Sequence, residues 1–326
     1  ISGWVSSLKA QLEQFLDFDC GAASAVVVNN LDWTKQLSVL DFLRDVGKHF
    51  SVNAMIQKES VKQRIEREGS GISFTEFSYM ILQSYDFAQL YHQHNCTLQV
   101  GGSDQWGNIT GGIDLTRRLY QGQVYGLTVP LVTKADGQKF GKTETGTVWL
   151  NAEKTSPYAF YQFWLNAADA DVYKFLRYFT FLTPAQIDEI EAADVGASGR
   201  PQAQGILARE VTGLVHGQEG VEAAERISSA LFSGRLDDLR EQDFEQLRLD
   251  GLPATDIGGE ALTLVQALVD SGLAQSNRVA REFINAGAVS VNGEKISDLE
   301  ASIGREQARF GRFIILKRGK KQFHLL

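Results

Sequence analysis

The sequence predicts an α/β protein in which a parallel, doubly wound sheet is followed by an all-α domain and a small α+β domain. Three observations support this order. Short β-branched runs alternate with helical patterns over residues 1–150, and aromatic-rich helical patterns fill residues 151–235. Two short helical patterns and hairpin signals occupy residues 260–326.

The first region contains three runs with the composition of buried strands, at residues 24–29, 97–100 and 126–132. Pro130 places the last of them at a strand end or a sheet edge. Helical patterns lie between and around these runs, at residues 37–46, 58–68, 74–91 and 109–120. Strands that alternate with helices indicate parallel pairing.

The later regions differ in pattern from the first. Pro157 marks a helix start, and further helical patterns cover 185–193, 203–216 and 221–231. Residues 236–259 carry turn residues and no clear periodicity, which predicts a linker. Helices are then expected at 261–271 and 276–286, a hairpin at Asn292-Gly293, and strands at 312–317 and 322–326.

Composition excludes several classes of protein. Apolar residues make up 43% and charged residues 22% of the 326 residues, as in ordinary globular proteins. No run approaches the roughly 18 apolar residues of a membrane span, and no signal-peptide pattern is present. Two cysteines cannot form a disulfide framework, so a reducing, cytoplasmic location is expected. We expect no metal site, since His92 and His94 form at most a solvated pair.

Charge is unevenly distributed along the chain. The net charge is −8, yet residues 278–326 hold ten Lys and Arg against five Asp and Glu. An acidic body with a basic end suggests that only the C-terminal part meets a polyanion. A solvated surface with clustered charge explains the same pattern equally well.

A polar stripe interrupts the apolar helical pattern at 74–91. Tyr79, Gln83 and Asp86 are spaced i, i+4 and i+7, which places them on one helix face. Such a face could recognise a ligand that is both polar and aromatic. An ordinary hydrated face is the simpler interpretation of this stripe taken alone.

A glycine-rich segment, GGSDQWGN, follows the predicted strand at 97–100 and precedes a helix. Open α/β sheets bind ligands at the carboxyl ends of their strands, where glycine allows close approach to the backbone. Asp104 could accept hydrogen bonds from ribose hydroxyls, and Gln105 could contact a substrate carboxylate. A generic strand–helix turn is the alternative.

The segment KFGKT at 139–143 resembles a phosphate loop but fails the P-loop pattern, because Asp136 stands where the first glycine belongs. Lys139 and Lys142 could still neutralise polyphosphate as mobile charges. A solvated hairpin is the alternative. No G-x-S-x-G elbow and no dinucleotide fingerprint is present.

Together these segments resemble bacterial tyrosyl-tRNA synthetases, class I enzymes, over essentially the whole chain. The matching motifs include NNLDW (29–33), FLRDVGKHFSVN (42–53), GISFTEFSY (71–79), GGSDQWGNIT (101–110), KFGKT (139–143), TSPYAFYQFW (155–164), VNGEK (291–295) and FGRF (310–313). The resemblance implies a Rossmann-type catalytic domain at 1–150, incomplete at its N-terminus, a helical domain at 151–235, the linker, and an S4-like RNA-binding domain at 260–326.

The resemblance also implies residue roles. Tyr79 and Gln83 bind the tyrosine ammonium group and Asp86 accepts the phenol, with Gln99 and Gln105 lining the pocket. Gly102 and Asp104 hold the ribose of ATP. Lys139, Lys142 and Thr143 steady the departing pyrophosphate, with Mg²⁺ accompanying ATP and no prosthetic group. The implied tRNA-binding residues are Arg278, Arg281, Lys317, Arg318, Lys320 and Lys321.

The implied activity is ATP-dependent ligation of L-tyrosine to tRNA(Tyr) by a cytoplasmic homodimer that does not bind membranes. The family's HIGH-type motif is not found in the sequence, so we expect a chain that lacks the upstream portion carrying it. A truncated, non-catalytic RNA-binding remnant is therefore the main alternative. A synthetase for tryptophan is a third possibility, although the Tyr79, Gln83 and Asp86 face argues against it.

Overall fold

A computed structural model describes residues 2–66, 71–135, 137, 140–143, 146–196, 201–258 and 261–326. The chain divides into two compact units, which are described separately below. The smaller unit is Asp17–Thr133, and the larger joins Ile1–Leu16 to Lys134–Leu326. No described helix is long and apolar enough to cross a membrane.

Helices dominate both units. In chain order the α-helices are α1 (Ser2–Leu12), α2 (Leu31–Thr34), α3 (Val39–Asp41), α4 (Val52–Ile56), α5 (Glu59–Ile65), α6 (Phe74–His94), α7 (Trp106–Tyr120), α8 (Pro157–Leu165), α9 (Asp169–Phe179), α10 (Pro184–Gly196), α11 (Ala203–Ser233), α12 (Glu241–Gln246), α13 (Leu264–Asp270) and α14 (Asn277–Asn285). The strands are β1 (Leu98–Gly102), β2 (Tyr125–Val129), β3 (Lys142–Thr143), β4 (Gly146–Thr147), β5 (Leu262–Thr263), β6 (Val289–Val291), β7 (Glu294–Lys295), β8 (Ser302–Ile303), β9 (Ile315–Arg318) and β10 (Gln322–Leu325).

The smaller unit is built around a parallel strand pair and two packed helices. Strands β1 and β2 pair in parallel, with Leu98 opposite Tyr125 and Gly102 opposite Val129, and α7 connects them. Helix α6 starts at a reciprocal Ser73–Glu76 capping box, which satisfies amides that the first turn leaves open. The parallel pairing and both helices confirm the α/β pattern predicted for this region.

One predicted strand of this unit is absent from the structure. Residues 24–29 have no regular secondary structure, and the side chains of Val26, Val27 and Val28 are exposed. A β-branched composition favours extended backbone, but a strand also needs a hydrogen-bonded neighbour. No described strand pairs with this run, so the strand prediction is wrong here.

The helical part of the larger unit packs α8, α9 and α10 around α11. Helix α8 begins as predicted at Pro157, with the Ser156 side chain accepting from Ala159 N. Helix α11 is interrupted at Gly217, whose backbone is not helical, and this agrees with the two patterns expected on either side. Its buried positions include Leu207, Val211 and Ile227.

The C-terminal part places two helices against a four-stranded antiparallel sheet in the order β10-β9-β6-β7. Asn292 and Gly293 form the predicted hairpin turn between β6 and β7, and both have positive φ. Core residues come from α13, α14, β6 and β9, among them Leu264, Ile284 and Leu316.

Residues 236–251, within the predicted linker, contain short helical elements. A helical segment runs through α12 into a π-helical turn at Leu247–Gly251, and Phe244 and Leu247 are fully buried. Asp250 and Gln246 accept from the amides of Ser156 and Tyr158, at 2.9 and 3.0 Å. The segment thus caps α8, and the division into four domains stays a prediction.

Candidate active site

Helix α6 presents the predicted polar stripe on a single face. Tyr79 is exposed, whereas Gln83 and Asp86 are half-buried. The adjacent face of the helix carries Met80 and Phe87, which are buried in the core of the unit. Because the helix is continuous over this stretch, the three polar side chains project side by side, as their spacing predicts.

The carboxylate of Asp86 is held by two neutral donors. Asn30 Nδ2 donates to Oδ2 at 3.0 Å, and Trp33 Nε1 donates to Oδ1 at 2.8 Å. Trp33 is buried, so its indole fixes the orientation of the carboxylate. An ionised carboxylate accepts about four hydrogen bonds, which leaves Asp86 able to accept one from a ligand hydroxyl.

A cluster of amide side chains lies beside this carboxylate on α6. Gln83 Nε2 donates to Gln105 Oε1 at 3.3 Å, and Asn108 Nδ2 donates to both Gln83 Oε1 and Gln105 Oε1, at 2.9 and 3.1 Å. Gln105 Nε2 donates in turn to Asp104 Oδ2 at 3.1 Å. The structure therefore joins the predicted α6 face to the predicted glycine-rich segment.

That segment begins at the carboxyl end of β1. Gly102 ends the strand, and a Cβ atom there would lie 2.7 Å from Asp104 Oδ1 and 2.9 Å from Leu131 Cδ2. A side chain at this position would have to displace the ends of the Asp104 and Leu131 side chains, so glycine keeps the backbone open beside the exposed Asp104. Gln99 lies three residues earlier on β1, and its side chain is not part of the amide cluster.

Lys58 supports the same segment from a part of the sequence that gave no functional signal. Its Nζ donates to Gly107 O, in the first turn of α7, at 2.5 Å. Burial lowers the pKa of Lys58, and the nearby Asp114 carboxylate opposes that shift. The ammonium group thereby fixes the backbone that carries Gln105 and Asn108.

Four supporting residues were missed by sequence analysis: Asn30, Trp33, Lys58 and Asn108. Asn30 and Trp33 fall within the motif at 29–33, and Asn108 closes the segment GGSDQWGN, so the motifs contained a signal for three of them. Across the described parts of the chain, no group of three or more His, Cys, Asp or Glu side chains could hold a metal ion.

The KFGKT segment belongs to the larger unit. Lys139 lies outside the described residues, and for Lys142 and Thr143 the backbone is described. Strand β3 pairs antiparallel with β4, placing Lys142 opposite Thr147 and Thr143 opposite Gly146. The backbone of Lys142 and Thr143 therefore lies in a short antiparallel hairpin.

The predicted tRNA-binding residues lie on α14 and around the turn between β9 and β10. Arg281, Lys320 and Lys321 are exposed, and Arg278 pairs with Glu282 one turn along α14. The Lys317 ammonium lies 4.9 Å from the centre of the Phe323 ring. Arg318 is more engaged, since it stacks on Phe283 and donates to Leu273 O.

Comparison with known proteins assigns the family. The family model described as "tRNA synthetases class I (W and Y)" matches residues 3–233, and that described as "Tyrosine--tRNA ligase SYY-like C-terminal domain" matches residues 243–326. This chain belongs to the tyrosyl-tRNA synthetases of class I. A tyrosine–tRNA ligase of Aliivibrio fischeri (strain MJ11) is 65% identical over 325 residues, covering the whole chain and 76% of that relative.

Further proteins similar to this chain belong to the same family. Tyrosine–tRNA ligases of Neisseria meningitidis and Chromobacterium violaceum are 58% and 60% identical over the whole chain, which spans 78% and 77% of their lengths. The solved mitochondrial tyrosyl-tRNA synthetase of Aspergillus nidulans, C-terminally truncated, superposes with a TM-score of 0.57 at 29% identity, covering 70% of this chain and 66% of that one. These relatives support tyrosine–tRNA ligase function, an aminoacyl-tRNA synthetase activity of protein biosynthesis.

Proposed function

We propose that the smaller unit binds tyrosine on the α6 face and that the chain catalyses both steps of tyrosine–tRNA ligation. One observation carries the proposal: the Asp86 carboxylate, fixed by Asn30 and Trp33, shares a helix face with Gln83, which is hydrogen-bonded to Gln105 and Asn108. An acceptor for a phenol and a group of amides for an amino acid are thereby presented together.

Tyrosine is recognised at both of its polar ends. Asp86 accepts the phenol hydroxyl, while the Tyr79 hydroxyl and the Gln83 amide oxygen accept from the ammonium group. Gln105 lies near the carboxylate, and Gln99 lines the pocket. Half-burial of Gln83 and Asp86 supports these roles, because polar atoms there are oriented yet reachable from solvent.

ATP is bound at the end of β1, with its ribose held by the Gly102 backbone and the Asp104 carboxylate. A tyrosine carboxylate oxygen attacks the α-phosphorus, and the bond to the bridging oxygen breaks to release pyrophosphate. Lys139, Lys142 and Thr143 stabilise the negative charge that develops on the leaving phosphates. Mg²⁺ enters with ATP on the phosphate oxygens, as it commonly does.

In the second step the 3′ hydroxyl of tRNA(Tyr) attacks the adenylate carbonyl, and AMP leaves. The C-terminal part acts as an S4-like RNA-binding domain, using the basic side chains of α14 and the β9–β10 turn. Its local charge surplus supports this assignment, because phosphate contacts dominate RNA affinity. We also propose that the β1–β2 pair belongs to an incomplete Rossmann-type sheet and that the chain acts as a cytoplasmic homodimer.

The test is amino-acid-dependent exchange of radioactive pyrophosphate into ATP. It is measured on this chain and on a version extended to the length of its relatives, since the chain spans 76% of the length of the Aliivibrio fischeri relative. Exchange supported by tyrosine, and not by phenylalanine or tryptophan, is the expected result. Lys142→Ala is expected to slow adenylate formation while tyrosine affinity is retained.

A second outcome would favour the RNA-binding alternative. Neither form would then exchange pyrophosphate, while both would retain tRNA(Tyr) in a filter-binding assay. Tryptophan-dependent exchange would instead assign the chain to the sister specificity and overturn the role of Asp86.

A further inference from the structure

We propose that Phe140 is a positioning residue that fastens the segment bearing Lys139 and Lys142 to the helical part of the larger unit. This inference rests on the proposed role of those lysines. It assigns a task to the residue between them, which is not a phosphate ligand.

The Phe140 ring contacts four other aromatic rings. Its centre lies 5.6 and 5.3 Å from the ring centres of Phe163 and Trp164 on α8, and 4.8 and 5.2 Å from those of Phe175 and Phe179 on α9. Separations of 4.5–7 Å with inclined or offset planes are favourable for aromatic pairs. The ring is therefore held between α8 and α9 by side-chain packing.

A second fastening lies on the N-terminal side of Lys139. Asp171, on α9, is 3% exposed, and its Oδ2 accepts from Ala135 N at 3.1 Å. The segment is thus attached to the same helical layer on both sides of Lys139, once through a backbone amide and once through an aromatic ring. Lys139 is thus flanked in the sequence by two residues that contact the helical layer.

The Phe140 ring is not wholly enclosed by its aromatic neighbours. The ring is half-buried and borders two cavities, of about 910 and 360 Å³. A ring wholly enclosed in a core would be held on every side, whereas this ring borders open space.

Fastening matters because the lysine ammonium groups act as point charges on flexible stems. Each ammonium group must reach phosphate oxygens from a defined backbone position, and misplacement by about 1 Å can cost roughly 100-fold in rate. The Phe140 side chain, between the two lysines, fixes that backbone position without engaging either ammonium group. The aromatic cluster therefore contributes to the rate of adenylate formation without touching ATP.

The test compares Phe140→Ala and Phe140→Leu with Phe232→Ala, whose ring is 93% exposed on α11. Attachment is read by tryptic cleavage after Lys139 and Lys142, followed by mass spectrometry. Positioning is read by the single-turnover rate of tyrosyl-adenylate formation and by tyrosine affinity. Both readouts use the version extended to the length of its relatives.

In Phe140→Ala, cleavage should accelerate and adenylate formation should slow by about 10- to 100-fold, with tyrosine affinity unchanged. Phe140→Leu, which fills part of the space, should recover most of the rate, and Phe232→Ala should match the parent. Unchanged cleavage would overturn the attachment, and faster cleavage with an unchanged rate would overturn the positioning role. Should the parent form no tyrosyl-adenylate, the proposed function fails separately, because cleavage is measured without any substrate.

Discussion

The two units fix their functional side chains by different physical means. In the smaller unit the proposed tyrosine ligands hold one another through hydrogen bonds, as Gln83, Gln105 and Asn108 do. In the larger unit the KFGKT segment contains Phe140, whose ring packs among other aromatic rings. The proposed tyrosine site is oriented by hydrogen bonds among its own side chains. The KFGKT segment is instead positioned by the packing of one apolar ring.

The difference follows from what each group must do. An amide or carboxylate that recognises a small ligand needs a fixed direction, and hydrogen bonds supply direction. An ammonium group that follows charge along a phosphate chain needs reach, and a hydrogen-bonded partner would hold it back. When an uncharged residue beside a cation does the packing, the cation itself can still reach a ligand. The Arg318 guanidinium, engaged with Phe283 and Leu273, illustrates the opposite arrangement.

The largest loss of stability is expected from breaking the ion pair between Arg226 and the buried Asp243 in the larger unit. Asp243 is fully buried and accepts from Arg226 Nε and Nη2 at 2.8 and 2.7 Å. Asp243→Ala leaves a guanidinium without its counter-charge, and breaking such pairs costs about 3–5 kcal/mol. Urea unfolding should show this loss, while tyrosine affinity of the remaining folded protein stays unchanged.

Asp237→Ala provides the matched control. Asp237 pairs with Arg309 at 2.6 Å, but its side chain is 82% exposed, and exposed pairs contribute about 0–1 kcal/mol. Equal losses for the two variants would show that burial does not govern these pairs. A fall in tyrosine affinity with Asp243→Ala would show that the two units are not independent in the way their separate construction suggests.

The next effect concerns the polar site of the smaller unit. Asp86→Ala removes the phenol acceptor and leaves the donors of Asn30 and Trp33 without their partner. Hydrogen bonds to charged groups contribute about 1.5–3 kcal/mol, so preference for tyrosine over phenylalanine should fall by roughly 10- to 100-fold. Pyrophosphate exchange with each amino acid measures the ratio, and an unchanged ratio would remove Asp86 from phenol recognition.

The sequence predicts what is local and misses what is assembled from distant segments. Periodicity indicates α6, and Asn292-Gly293 indicates the hairpin, because neighbouring residues suffice for both. Asn30 and Trp33 reach Asp86 across more than fifty residues, which no local pattern shows.

The segment at 236–251 shows the same limit of local patterns. Phe244 and Leu247 of this segment are buried against residues of distant strands, and a local sequence pattern does not show such contacts. The role proposed for Phe140 likewise depends on residues of α8 and α9 that the KFGKT motif does not contain.

The smallest predicted effect is a pH dependence confined to the larger unit. Burial lowers the pKa of His216 from 6.5 to about 4, and its ring packs edge-on against Phe160 at 4.9 Å. The unfolded chain therefore binds a proton that the folded chain does not, so stability is lost as pH falls from about 6.5 towards 4. Solvent reaches part of the ring, which limits the expected loss to about 1–2 kcal/mol. Across this range the free energy of unfolding in urea should depend less steeply on pH for His216→Leu than for the parent. Equal pH dependence of the two proteins would exclude His216 as the titrating group.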